Sequence, residues 1–345
     1  TRRSRGIFMK KMICLTMVVL ALASFGCVPA PSGAGGGAST PAAYTAEDSR
    51  GKTITFAEKP TRILCGFVFA DEVLLDLVAH DRIAALDKWI HDEGLSSAVQ
   101  EAADVKTVIE MNTESIVAQR PDLILMPEGS RGDLAATLED MGFRVYVHKN
   151  ARRLGDVESM IRSIAAAVGE SERGEVLIEA FQKDMAQVKH MKKPGDPKEK
   201  ALLFLRFGAI GGEGTVYHDA LTALGFYDCY NEIRKVSAVA QASSSILSKE
   251  EVIQANPDVF LLARWTQGDA YKDSEAQLRE MYEDAAYENV SAVKNRRAYI
   301  FPQRYVNCLS HHAGKNLLTL AKMLQDAPAG RVLSPADDGG GKKAL

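Results

Sequence analysis

Glu114-Ser-Ile-Val-Ala-Gln-Arg-Pro121-Asp122-Leu-Ile-Leu125 has a near copy 136 residues further on, Glu250-Glu-Val-Ile-Gln-Ala-Asn-Pro257-Asp258-Val-Phe-Leu261. In both, an acid opens an apolar helical stretch, Pro-Asp follows seven residues after that acid, and an apolar strand comes next. The repetition reads as a two-lobed chain with a similar module in each lobe. The rest of the chain fits that frame. Strands are expected at Arg62–Cys65, Arg82–Leu86, Leu123–Met126 and Arg144–Val147, with helical periodicity at Val73, Leu74, Leu77 and Val78 and over Leu134–Met141. A second set, Ala201–Leu205, Val259–Leu262 and Ala298–Phe301, alternates with helices at Ala220–Leu224 and Lys315–Leu324. Alternation of this kind implies parallel βα units. Residues 155–192 break the rhythm with a long helical run that carries an apolar stripe at Val176, Leu177, Ala180, Phe181, Met185 and Val188. It reads as a spine between two α/β lobes.

The chain has 345 residues, enough for two domains, and 46% hydrophobic with 25% charged residues fits a soluble globular protein. The formal charge of −3 is unevenly spread: residues 1–26 hold five cations and no acids, which leaves 37 cations against 45 acids beyond them. So acidic a body is a poor nucleic-acid binder.

Residues 1–26 read as an export signal, with cations from Arg2 to Lys11 ahead of an uncharged run from Met12 to Gly26, too short for a membrane span. Met9 is the expected initiator. The segment Ser24-Phe25-Gly26-Cys27 resembles a bacterial lipoprotein signal, which makes Cys27 the lipidated first residue of the mature chain; a plain secretory signal is the alternative. A Gly/Ser/Pro/Ala-rich tether fills 27–43. The expected layout continues with an N-terminal lobe over 44–170, the interlobe helix over 171–197, a C-terminal lobe over 198–326 and an unstructured tail over 327–345. Cys65, Cys229 and Cys308 form no C-x-x-C pair and suggest neither a zinc site nor a disulfide framework.

In open α/β sheets, ligands bind beyond the carboxyl ends of the strands. The residues there are Phe67 and Phe69, Lys88 and Trp89, Arg131, Arg206 and Phe207, Arg264 and Trp265, and Gln303, Arg304 and Tyr305. Arg forks suit carboxylate, catecholate or phosphate oxygens, and aromatic rings suit planar organic surfaces. The set implies a cleft for a bulky, anionic, partly aromatic ligand. His311 and His312 are expected at the start of the last helix, capped by Ser310, where adjacent side chains point about 100° apart and rarely share a metal. One could reach the cleft as a hydrogen-bond donor or an axial ligand to haem iron. Gly208–Gly214 lacks the dinucleotide spacing, and Glu128-Gly-Ser-Arg-Gly132 is not a hydrolase elbow, so no catalytic set or catalytic cofactor is expected. Glu114 and Glu250 sit in the first turns of helices capped by Asn112 and Ser248, where a carboxylate gains about 0.3–1 kcal/mol from the helix dipole. Capping explains an acid at either place. The match across two lobes suggests a two-point docking surface.

At this point the chain resembles class III substrate-binding proteins of ABC importers, which serve ferric siderophores, haem or vitamin B12. The likeness covers about residues 44–325 and is carried by Asp48-x-x-Gly51, Lys59-Pro60-x-Arg62-Ile63, the twin segments, and Tyr287-Glu-Asn-Val-Ser-Ala-Val-Lys-Asn-Arg-Arg-Ala-Tyr-Ile-Phe301. The resemblance implies two Rossmann-like lobes joined by one long helix, a ligand between them, and small hinge motion. It implies a monomer, tethered by lipid alone, that docks on a permease dimer with its ATPase through one Glu per lobe; Glu114 and Glu250 fall at those positions. Arg206, Arg264 and Arg304 with Trp and Tyr favour an anionic iron chelate. Haem ranks next, held through Tyr305, His311 or His312, and a corrinoid third. The opposing readings are a secreted hydrolase acting on an anionic substrate and a ligand sensor that does not transport.

Overall fold

A computed structural model of the protein describes residues 43–130, 132–191, 198–205, 207–233, 246–265, 274–327 and 330–333. The expected export signal, Cys27 and nearly all of the tether lie outside the described residues, as do Arg131 and Arg206.

The first lobe opens with an antiparallel hairpin of β1 (Tyr44–Glu47) and β2 (Thr53–Phe56). Five strands follow: β3 (Ile63–Cys65), β4 (Ile83–Asp87), β5 (Val108–Ile109), β6 (Leu123–Pro127) and β7 (Val145–His148). They form a wholly parallel sheet in the order β5-β4-β3-β6-β7. Helices α1 (Val68–Leu77), α2 (Thr113–Ala118) and α3 (Gly132–Asp140) serve as connections. The chain builds outward from β3 to β5, then returns to β3's other side, so the switch point lies between β3 and β6.

Two helices follow, α4 (Val157–Val168) and α5 (Ser171–His190). The single helical run expected over 155–192 is divided at Gly169, whose left-handed backbone (φ 74°) ends α4. At 20 residues, α5 spans about 30 Å. Residues 192–197 of the expected spine lie outside the described residues.

The second lobe contains β8 (Lys200–Leu205), β9 (Gly208–Ile210), β10 (Tyr227–Asp228), β11 (Val259–Arg264), β12 (Ala298–Pro302) and β13 (Arg331–Val332). Its helices are α6 (Val216–Ala223), α7 (Tyr230–Ile233), α8 (Lys249–Ala255), α9 (Ser274–Glu283), α10 (Ser291–Lys294) and α11 (Ala313–Asp326). The parallel order is β10-β8-β11-β12-β13, with β9 folded back antiparallel on β8. Here too the chain reverses direction beside its first strand, between β8 and β11. The tail departs from its expected lack of structure at one place. Arg331–Val332 adds to the sheet beside β12, pairing with Tyr299 and Ile300, because the apolar pair Val332-Leu333 can be covered there and Leu333 is buried.

The twin segments are α2 with β6 and α8 with β11. The residue before each Pro is left-handed: Arg120 at φ 48° and Asn256 at φ 42°. Each following Asp holds the start of the lobe's first strand. Asp122 accepts from Thr61 N (2.7 Å), Thr61 Oγ1 (3.0 Å) and Arg62 N (3.0 Å), and Asp258 accepts from Lys200 N (2.9 Å). A cation from that same strand start reaches the helix's last turn: Arg62 Nη2 donates to Gln119 O at 2.7 Å and Lys200 Nζ to Ala255 O at 3.2 Å. Orphan carbonyls at a helix end favour such cations.

Strand residues alternate between two packed faces in each sheet. In the second lobe, Leu203, Leu261 and Phe301 join a core that continues through Phe181 on α5 to Leu74 and Leu125 of the first lobe. Phe204, Phe260 and Ile300 pack separately under α8, α9 and α10. Leu64, Ile124 and Val147 form the outer core of the first lobe. The C-terminal helix α11 lies along α5, and Gly314 allows this approach: a Cβ there would fall 2.7 Å from Asp184 Cβ and 3.0 Å from Phe181 O.

Candidate functional site

The carboxyl ends of the two sheets meet. Trp89 follows β4 and Trp265 follows β11, and their ring centroids lie 5.3 Å apart, tilted by 55°. Trp265 Nε1 donates to Gln303 Oε1 at 2.7 Å, which fixes the indole from within its own lobe. Asp87 caps the turn that presents Trp89, accepting from its backbone N at 2.8 Å. Lys88 Nζ stands 5.0 Å from the centroid of the Trp89 ring and pairs with Glu110. A backbone bond from Arg304 N to Gly94 O (2.7 Å) closes the same junction, and the Arg304 guanidinium lies 5.1 Å from the Tyr305 ring centroid. Lys88, Trp89, Trp265 and Arg304 therefore gather at one interlobe edge. Phe67 and Phe69, at the start of α1, pack edge-to-face with each other 5.5 Å apart, and Phe69 is buried in the core.

Other candidates lie elsewhere. Arg264 shares strand parity with Phe260 and Leu262, so it turns away from Trp265 and under α9. Its Nε donates to Gln277 Oε1 (2.8 Å) and its Nη1 to Phe204 O and Ala263 O, all neutral acceptors. Burial lowers its pKa to about 10. It borders a cavity of about 360 Å³ that Glu280, Met281, Asp284 and Tyr287 also line. Phe207 is 60% exposed in the turn between β8 and β9. Tyr305 is buried within the core that links the lobes.

Behind the strand ends, α1 carries three acids in an otherwise apolar helix, and Asp71 and Glu72 have no exposed surface. Asp71 Oδ2 accepts from Asp87 N at 2.7 Å, and desolvation pushes its pKa well up. Glu72 ties the lobes together. One oxygen accepts from Ser97 N (2.6 Å), and the other accepts from Ser310 Oγ (2.5 Å) and Cys308 Sγ (3.6 Å). Desolvation raises its pKa against the pull of those donors. Burial, and then the Glu72 charge, also push the Cys308 thiol up.

One turn further, Asp76 Oδ2 meets His311 Nε2 at 2.7 Å and His312 Nε2 at 3.8 Å. The hydrogen bond to His311 holds the Asp76 carboxyl below its ordinary range, while burial pushes the His312 imidazole down to about 3. The 100° divergence expected of two helical neighbours does not arise, because both His precede α11. They sit in a turn where Ser310 Oγ accepts from His312 N (3.2 Å), and their rings are 3.9 Å apart. Glu72 and Asp76 escaped the sequence reading. Their signal was present: acids spaced i, i+4 in a helix apolar all round must find partners.

Glu114 and Glu250 are exposed in the first turns of α2 and α8. Asn112 Oδ1 accepts from Ser115 N (2.9 Å), and Ser248 with Glu251 forms a reciprocal capping box. Neither acid closes the reciprocal cap of its helix, and both residues are exposed at the surface. The Glu250 carboxyl is held below its usual range by its own backbone N–H and by Ser248.

Two lobes with like topology, switch points facing each other, and a helical spine behind them describe a known architecture. The family model described as periplasmic binding protein matches residues 63–305. The chain belongs to that family. The periplasmic binding protein relatives include a Bacillus subtilis substrate-binding lipoprotein of an ABC transporter, uncharacterised, 20% identical over 74% of this chain and 77% of its own. The vitamin B12-binding protein of Salmonella typhi is 25% identical over 48% of this chain and 59% of its own. Among solved structures, the periplasmic haem-binding protein RhuT of Roseiflexus sp. RS-1 superposes with a TM-score of 0.60 at 19% identity, covering 77% of this chain and 98% of that one. That likeness shows the two-lobed fold. The family is one of extracytoplasmic substrate-binding proteins and not an enzyme class, and its Bacillus member is described as the substrate-binding lipoprotein of an ABC transporter.

Proposed function

We propose that the protein captures an iron complex between its lobes, a ferric siderophore ahead of haem, and delivers it to the permease from a lipid anchor at Cys27. The observation that carries this reading is the Trp89–Trp265 pair, flanked by Lys88 and Arg304, where the strand ends of both lobes meet. Two large rings offer planar apolar surface, and the cations offer charge for catecholate, hydroxamate or carboxylate oxygens. Phe67 and Phe69 extend that surface. Arg131 and Arg206, which follow β6 and β8 in the sequence, complete the proposed ligand set, and Arg264 and Phe207 join it only by swinging toward the cleft from the places described above. Haem ranks second because its axial candidates are already engaged or covered: His311 Nε2 bonds Asp76, His312 is largely buried, and Tyr305 is in the core. A corrinoid ranks third: the B12-binding relative speaks for it, but that ligand calls for aromatic packing with fewer cations than stand here.

Fluorescence tests this directly, because Trp89 and Trp265 are the only two tryptophans. Titration with a ferric siderophore should quench emission in a saturable way, more tightly than haem or cobalamin. Truncating one ring, as Trp89→Ala or Trp265→Ala, should weaken binding by about tenfold or more, in keeping with an aromatic anchor of about 1.5–3 kcal/mol. Flat titrations with all three ligand classes sink the reading. Tighter binding of cobalamin selects the corrinoid instead.

A further inference from the structure

The two lobes bring three metal-ligating side chains together at the far end of α1. Asp76 comes from the last turn of α1, and His311 and His312 come from the turn ahead of α11. Asp76 Oδ2 lies 2.7 Å from His311 Nε2 and 3.8 Å from His312 Nε2, and one ligand atom from each residue falls within 4.8 Å of the others. Bonds of about 2.0–2.1 Å to a tetrahedral ion set neighbouring ligand atoms about 3.3 Å apart, a value these distances bracket. His312 Nε2 is buried and has no hydrogen-bond partner among the described residues, although it lies 3.8 Å from a carboxylate oxygen. At 3.8 Å that pair is too long for a hydrogen bond, and a buried ring nitrogen left open calls for an explanation.

We infer that Asp76, His311 and His312 form a site for a divalent transition ion of the zinc class, bridging the two lobes behind the cleft. Two imidazoles and one carboxylate suit such an ion; Mg²⁺ and Ca²⁺ prefer shells of oxygen. Three protein ligands leave a fourth position for water. The ion replaces one hydrogen bond between His311 and Asp76 with coordination bonds that join α1 to the second lobe. Arg173 on α5 and Lys315 on α11 also bear on the cluster, and Glu72 lies one turn away. The two cations oppose an incoming ion, so the site is weaker than a closed structural zinc site. It sits about 12 Å along α1 from the end that faces the cleft, and it does not depend on what the cleft carries.

The purified intact protein is dialysed against Zn²⁺, and Co²⁺ is titrated as a spectroscopic probe. The expected result is one Zn²⁺ per chain and the visible absorption of tetrahedral Co²⁺. Asp76→Asn and His312→Ala should each lower Zn²⁺ affinity by about 100-fold or more, at least what loss of an outer-shell partner can cost. His190→Ala, exposed at the end of α5, should bind as the parent does. Zn²⁺ should also raise the Tm of the parent and leave that of the site variants unmoved. Circular dichroism without metal checks that each variant is folded, and His312→Gln replaces His312→Ala if the latter is not. The inference is overturned if the parent binds no Zn²⁺ at about 100 times the micromolar range, or if folded site variants bind it as tightly as the parent. Siderophore binding lost in Trp89→Ala with Zn²⁺ binding intact separates this site from the cleft.

Discussion

In the first lobe, Asp122 gathers three donors from Thr61 and Arg62, whereas its counterpart Asp258 takes Lys200 N alone among the described residues. The residue before each Pro differs too. Arg120 holds its left-handed backbone with no side-chain hydrogen bond among the described residues, while Asn256 Oδ1 accepts from Ser291 N at 2.9 Å. The backbone takes the same route in both joints, from helix through a left-handed residue and Pro-Asp into the strand beside the lobe's first strand. The side chains that secure this route are not the same. Likeness in sequence therefore predicts the path of the chain better than the strength of its fastening.

The largest effect concerns the outward acids. If the modules are equivalent docking points, Glu114→Ala combined with Glu250→Ala abolishes uptake in cells and leaves ligand affinity unchanged. Loss of affinity instead would place the acids in the pocket, and loss of uptake from one single variant alone would break the symmetry. Next come the joints. Asp122→Ala should destabilise by about 2–3 kcal/mol and Asp258→Ala by about 1–1.5 kcal/mol, since hydrogen bonds to a charged group contribute about 1.5–3 kcal/mol each before solvent exposure discounts them. Urea unfolding measures both, and equal losses would show that the extra donors at Asp122 are not stabilising. The smallest effect appears in one lobe only. Arg120→Gly should stabilise by about 0.5–1 kcal/mol, because a left-handed backbone strains a residue with a Cβ. Asn256→Gly should gain nothing, since it gives up the bond to Ser291.

The parallel sheets and the lobed layout were legible because the twin segments and the strand–helix alternation depend on local periodicity. Trp89 and Trp265 were also legible, since each directly follows an apolar strand. Two things were not. Strand parity turns Arg264 under α9 while Trp265 faces the other lobe, and this depends on which sheet face each helix covers. The convergence of Asp76 with His311 and His312 joins residues 235 apart and requires α11 to begin at Ala313 rather than earlier. No spacing rule within one element reports on that. The division at Gly169 was present in the sequence, but the apolar stripe on both sides concealed it.

The seating of α11 on α5 at Gly314 has a mechanical consequence. Any side chain larger than hydrogen at Gly314 would have to push α11 off α5 and so loosen the seam along which the C-terminal helix joins the spine. If the joint bends when ligand enters, the separation of Glu114 and Glu250, one on each lobe, is the distance that would register it.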